Sequence, residues 1–353
     1  MHNAIVHIGT EKTGSTTIQN FLYKNEKALA LHGYYFPYRT CGLISNFRLA
    51  IYACEQADPQ LLAMERKPVT DDPNAAYEVS PEAWRQAFTD FHLEQIKKIH
   101  NKHRHTTVVY SSEHFHSRIR HESEVKRLQD FLDQYYDKVT IIVYVRRQDR
   151  LAVSGHNTAI QGGNTNRFYF PENLEDTNYY DYLSLVTRWS NVFGKENITV
   201  RVFEKDRLIG GDVAKDFQAN VLSANVQKKL KQADLHYERS NPRLSHSALE
   251  TLLEFNRLPE DDPLLKGANK AEIRQAVITA LHTIKDEYGE VLPPRRDAMR
   301  YYESFRNDNQ MLFDNWADGQ SFGDDFTMYP DEASAAPEVN TQALLSQCLP
   351  AGS

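Results

Sequence analysis

One stretch near the start of the chain restricts the fold more than any other. AIVHI (4–8) is a short apolar run, and GTEKTGSTT (9–17) follows it at once. Beyond Ser15 the pattern turns helical, with Ile18, Phe21 and Leu22 on a 3–4 spacing and Ala28 and Leu29 further on. A continuous apolar run of this length suits a parallel strand buried on both faces. The segment therefore predicts strand, loop, helix. A helix start gathers free backbone N–H groups, and its dipole favours negative charge. Lys12 and the hydroxyls of Thr13, Ser15, Thr16 and Thr17 add further donors around Gly14. Simple N-capping accounts for a Ser or Thr at a helix start, but not for Lys12 or for so many donors. The loop predicts an anion site.

The alternation continues along the chain. Gly33 stops the first helical segment, and YYF (34–36) predicts a short strand. Helical spacing at 86–99 precedes the strand TTVVYSS (106–112). A helix at 122–135 precedes VTIIVYV (139–145), the best strand of the chain, β-branched, continuous and uncharged. A helix from Asp149 to Ile160, the strand ITVRVF (198–203) and a helix at 212–222 follow. Strands alternating with helices predict an α/β fold, a three-layer sandwich with a central parallel sheet. Residues 245–316 predict a helical C-terminal region. The expected organisation is one domain over 1–330, with insertions near 38–85 and 161–195 and a tail at 331–353.

The loop differs from a Walker A sequence, GxxxxGK[ST], whose lysine directly follows the second glycine. Gly9 and Gly14 have that spacing, but Ser15 stands where the lysine belongs and Lys12 lies inside the loop. A second motif, VYVRRQDRLAVSGH (143–156), begins at the end of the best strand and enters a helix. Arg146 ends the strand, at the edge where α/β sheets bind ligands, and Ser154 follows eight residues later. The planar fork of arginine suits phosphate.

KTGSTTIQ (12–19) resembles the 5′-phosphosulfate loop of sulfotransferases that use 3′-phosphoadenosine 5′-phosphosulfate (PAPS), with Ser15 in place of the commoner threonine. Arg146 and Ser154 match the family's pair for the 3′-phosphate. The resemblance covers about residues 4–250. It implies a P-loop nucleotide-kinase-like fold and PAPS as donor, with 3′-phosphoadenosine 5′-phosphate (PAP) as product. Lys12, Thr13, Gly14, Ser15, Thr16 and Thr17 are expected to hold the 5′ side, and Arg146 and Ser154 the 3′-phosphate. Arg239, in RSNPRLS (239–245), is a further candidate for the 3′-phosphate.

A hydroxyl acceptor needs a base, and Glu113 and His114 lie just past TTVVYSS. The family places glutamate or histidine after this strand. Glu113 is favoured, with His114 the alternate, because adjacent residues of an extended segment face opposite ways. Lys12 is expected to stabilise the leaving oxygen. Aromatic clusters at 34–38, 168–170 and 179–182, and the basic residues Arg118, Arg120 and Arg167, suggest a saccharide acceptor.

The remaining features mainly exclude. A net charge of −7 argues against an electrostatic nucleic-acid binder. Cys41, Cys54 and Cys348 make neither a disulfide framework nor a metal motif, which points to a reducing compartment. HNKHRH (100–105) lacks partner ligands and favours a solvated loop over a metal site. No signal-peptide pattern and no run near the ~20 apolar residues of a membrane span occurs, so a cytoplasmic location and no stable membrane insertion are expected. Two other classes stay open: a P-loop small-molecule kinase, and a non-catalytic nucleotide-binding protein.

Overall fold

The sheet consists of five strands, all parallel, in the order β2-β3-β1-β4-β5. The computed structural model describes residues 1–41, 44–55, 81–171, 179–230, 235–237, 244–265, 269–283 and 292–332, with 340 and 343. Strand β1 (His2–Gly9) leads into helices α1 (Ser15–Lys24) and α2 (Glu26–Ala30), then strand β2 (Tyr34–Tyr35). Helices α3 (Phe47–Ala53) and α4 (Pro81–His100) precede β3 (Thr106–Ser112). The one-turn helix α5 (His114–Ser117) and α6 (Glu122–Leu132) lead to β4 (Lys138–Val145). Next come α7 (Gln148–Gln161), α8 (Tyr182–Phe193), β5 (Ile198–Val202), α9 (Val213–Val221) and α10 (Ala224–Leu230). The C-terminal helices are α11 (His246–Arg257), α12 (Lys270–Leu281), α13 (Arg295–Glu303) and α14 (Arg306–Trp316). The expected strands and helices are thus present, most of them within a few residues of the expected ends. The polar stretch at 67–74 and most of the expected tail lie outside the described residues.

The chain divides into two units, and the first holds the whole sheet: residues 1–146, 174–240 and 306–322. Helices pack on both faces of that sheet. On one face, Ile18, Phe21 and Leu22 of α1 and Ala214 and Phe217 of α9 cover Val109 and Ile142. Each such large apolar side chain contributes about 1.5–3 kcal/mol on full burial. On the other face, His92 of α4 accepts or donates through Nε2 to the Tyr110 hydroxyl at 2.8 Å and packs against Phe131 of α6. Buried Asp216 of α9 ties that helix to β4 and β5. Its carboxylate takes Arg201 Nε at 3.0 Å, the Tyr144 hydroxyl at 2.7 Å and the Ile209 amide at 3.1 Å.

The second unit comprises residues 147–173, 241–305 and 323–353. Its core is Ile160, Leu252, Leu253, Phe255, Val277 and Leu281. Arg147 is fully buried there. It holds Asp149 in a two-point pair at 2.7 and 2.9 Å and donates to the carbonyls of Gly323 and Asp325. Its guanidinium lies 3.8 Å over the Phe326 ring, and the Tyr329 hydroxyl donates to Asp149 at 2.6 Å. Every polar group of the pair is thereby engaged, which is what makes burial of two charges tolerable.

Two sheet-region histidines, His7 and His92, have no exposed surface. Burial lowers the pKa of each to about 3, so both stay neutral in the folded state. The unfolded chain titrates them near 6.5 and so binds more protons below that pH. Their contribution to stability is therefore full above about pH 6.5 and falls as the pH drops towards 3, with a slope of up to about 1.4 kcal/mol per pH unit for each histidine. Urea midpoints measured from pH 6.5 to 5, above the main carboxylate range, should decline. His7→Gln should make that decline shallower.

Candidate functional site

The register of the sheet brings the ends of three strands to one edge. Ile8 lies opposite Ser112 of β3 and Val143 of β4, and Gly9 lies opposite Tyr144. The connections from β1 and from β4 run in opposite directions across the sheet, so β1 borders the crevice where open α/β sheets receive ligands. Lys12, Glu113 and Arg146 leave β1, β3 and β4 at this edge.

The loop after β1 is shaped by close approach. A Cβ on Gly9 would lie 2.0 Å from Ser15 Oγ and 2.9 Å from Ser15 Cβ, so a side chain there would force Ser15 to shift. Gly14 has φ of 80°, and a Cβ on it would lie 2.8 Å from Val213 Cγ1. Lys12 itself has φ of 64°, in the left-handed region that favours glycine. Two threonines fasten the loop: the Thr10 hydroxyl donates to the Tyr144 carbonyl at 2.6 Å, and the Thr13 hydroxyl donates to the Thr10 carbonyl at 2.5 Å. The proton of Thr13 is therefore committed to the loop's own shape. Ser15 is buried, and its Oγ has no hydrogen-bond partner among the described residues. Thr16 is exposed and Thr17 half-buried. Helix α1 begins at Ser15 with Gly14 as N-cap and no side-chain cap. Its first N–H groups thus have no partner within the helix.

Charge around the loop is mixed. Burial lowers the Lys12 pKa, Arg146 adds to that, and Glu11 and Glu113 oppose it. Arg146 Nη1 donates to the Lys12 carbonyl at 3.1 Å, and its guanidinium lies 5.9 Å from the Phe203 ring centre. The Tyr182 hydroxyl donates to the Arg146 carbonyl at 2.7 Å. An arginine at the end of β4 thus holds the loop that leaves β1.

Glu113 and His114 differ from the expectation of an extended pair. The strand ends at Ser112, and Glu113 takes helical angles (φ −69°, ψ −22°) as N-cap of α5. Strand alternation therefore does not separate the two side chains. Glu113 Oε1 lies 4.0 Å from His114 Nε2, with the glutamate side chain 30% exposed and the histidine 14%. The carboxylate is the more open of the two.

Several neighbours carry no motif. Gln19, one turn into α1, is buried and donates through Nε2 to Glu113 Oε2 at 3.0 Å. Its signal in the sequence is a lone amide on the apolar face of that helix. Glu11 accepts from the Tyr179 hydroxyl, whose pKa is raised by burial and by that carboxylate. His116 Nε2 donates to the Tyr179 carbonyl at 2.9 Å, and burial pushes its pKa down to about 4. Ser154 belongs to the second unit, half-buried on α7, where its carbonyl accepts from Thr158. Arg239 lies outside the described residues. Among the described residues no group of three or more His, Cys, Asp and Glu could hold a metal ion. No described helix is long and apolar enough to cross a membrane.

Comparison with known proteins gives little more. No family model matches the chain. An uncharacterized protein of Archaeoglobus fulgidus is 26% identical over 204 residues, covering 54% of this chain and 49% of that protein. The chain thus matches about half the length of that relative.

Gly9→Ala is expected to displace Ser15 and the start of α1. Overpacking of this kind costs about 1–3 kcal/mol. Thermal unfolding should show a lower midpoint for Gly9→Ala than for Gly155→Ala, whose added methyl would meet nothing within 4 Å.

Proposed function

We propose that the chain is a PAPS-dependent sulfotransferase with a P-loop-like, three-layer α/β fold. The observation that carries the reading is the convergence of Lys12, Glu113 and Arg146 at one sheet edge, beside a glycine-shaped helix start. The lysine inside the loop, rather than after Gly14, favours this class over a kinase. The residues suit the donor: α1 starts without a side-chain cap on its first N–H groups, Thr16 is exposed, and Arg146 stands one strand away.

The donor supplies a sulfuryl group joined through oxygen to the 5′-phosphate. A bond forms between sulfur and the acceptor oxygen as the bond to the bridging oxygen breaks, leaving PAP. Lys12 meets the negative charge that grows on the bridging oxygen, and the first N–H groups of α1 assist it. Glu113 takes the acceptor's proton. Arg146 grips the 3′-phosphate. The acceptor is a hydroxyl or amine compound, with a saccharide the first choice.

Calorimetric titration with PAP and ADP, without magnesium, tests the donor. PAP should bind more tightly than ADP. Arg146→Ala should weaken PAP by about 10- to 100-fold, the worth of a lost charge-assisted hydrogen bond. Lys12→Ala should leave PAP affinity within a few-fold and lower turnover of PAPS by about 100-fold or more. Equal binding of the two nucleotides, or ADP binding that needs magnesium, would move the kinase to first place.

A further inference from the structure

Gln19 is a polar side chain where the apolar face of α1 would take a leucine. It is 3% exposed, and a buried amide costs stability unless its groups are bonded. Its Nε2 donates to Glu113 Oε2 at 3.0 Å and lies 3.5 Å from the Ser111 carbonyl. Both neighbours are acceptors, so the amide has one sensible orientation, with its NH₂ group towards them. Ser15, four residues earlier, lies on the same buried face of the helix. One rigid helix therefore carries the phosphate loop at its start and a contact to the carboxylate after β3 one turn later.

We propose that Gln19 is a positioning residue that fixes the Glu113 carboxylate against the phosphate-loop helix. The proposal rests on the sulfuryl-transfer reading for its role in turnover, and on geometry alone for the contact. A glutamate with three rotatable side-chain bonds is a poorly aimed base. Holding Oε2 removes most of that freedom and leaves Oε1 to meet the acceptor, and pre-set geometry of this kind raises rate rather than affinity. The donor side stays untouched, because Gln19 contacts Glu113 and β3 rather than the loop.

The test uses the full chain with Gln19→Met, which keeps length and burial but has no donor, Glu113→Gln, and the double variant. Side-chain amide NMR reads the contact directly. The Gln19 Nε2–H resonance should move when Glu113→Gln replaces a charged acceptor by a neutral one, and a resonance indifferent to that substitution overturns the contact. Turnover is read with sulfur-35-labelled PAPS and 4-nitrophenyl glycosides as acceptor probes. Gln19→Met should lower kcat by about 10- to 100-fold, the scale of a hydrogen bond to a charged group, with KM for PAPS and calorimetric PAP affinity unchanged. In the Glu113→Gln background it should add less than about a twofold loss. Full activity in Gln19→Met, or the same loss in both backgrounds, overturns the positioning role. A wild type that binds no PAP defeats the donor assignment instead, and the NMR result still decides the contact.

Discussion

The close approach of Ser15 to Gly9 is the constraint on which the edge of the sheet depends. The hydroxyl of Ser15 takes the space that a side chain at residue 9 would need. The chain can therefore turn tightly out of β1 and start a helix at once. Gly14 and Lys12 then adopt left-handed angles, and Thr10 and Thr13 fasten the turn through their hydroxyls. Backbone strain at a non-glycine residue persists only where the surroundings enforce it. Here the enforcement comes from β4, through the Tyr144 carbonyl and the Arg146 guanidinium. The loop is built by its neighbours as much as by its own sequence.

Around that turn, the parallel register does the rest. Three strand ends face the same way, so residues far apart in sequence meet at one edge, where Gln19–Glu113 and Arg146–Lys12 contacts join them. Both faces of the sheet need cover, and α1 and α9 supply it on one of them. Helix α1 thus has two tasks, packing against the sheet and presenting the loop. The second unit has its own buried pair, Arg147 and Asp149, satisfied within that unit.

Much of the fold was legible in the sequence. Buried parallel strands are continuous apolar runs, and VTIIVYV and TTVVYSS both became strands close to their expected limits. The glycine loop was legible because its spacing, its strand and its helix appear together. Other parts were hidden for physical reasons. The helical turn at Glu113 begins one residue after the strand, so period-two alternation misplaced the relation between Glu113 and His114. Gln19 carries no motif, and only the packing of α1 against β3 reveals its partner. His7 sits inside an apolar run that already implied burial, but the Ser111 hydroxyl it bonds at 2.8 Å is 104 residues away and is not visible in that pattern. The Arg147–Asp149 pair is two residues apart in RRQD, yet its burial depends on a segment near residue 325.

Hydrogen–deuterium exchange with and without PAP tests the central claim most directly, that the end of β1 and the start of α1 form an anion site shared with Arg146. The account predicts that PAP slows exchange at residues 9–18 and at 145–147, and that ADP has a weaker effect at 145–147. Slowing confined to other parts of the chain, or the same pattern with both nucleotides, would contradict it.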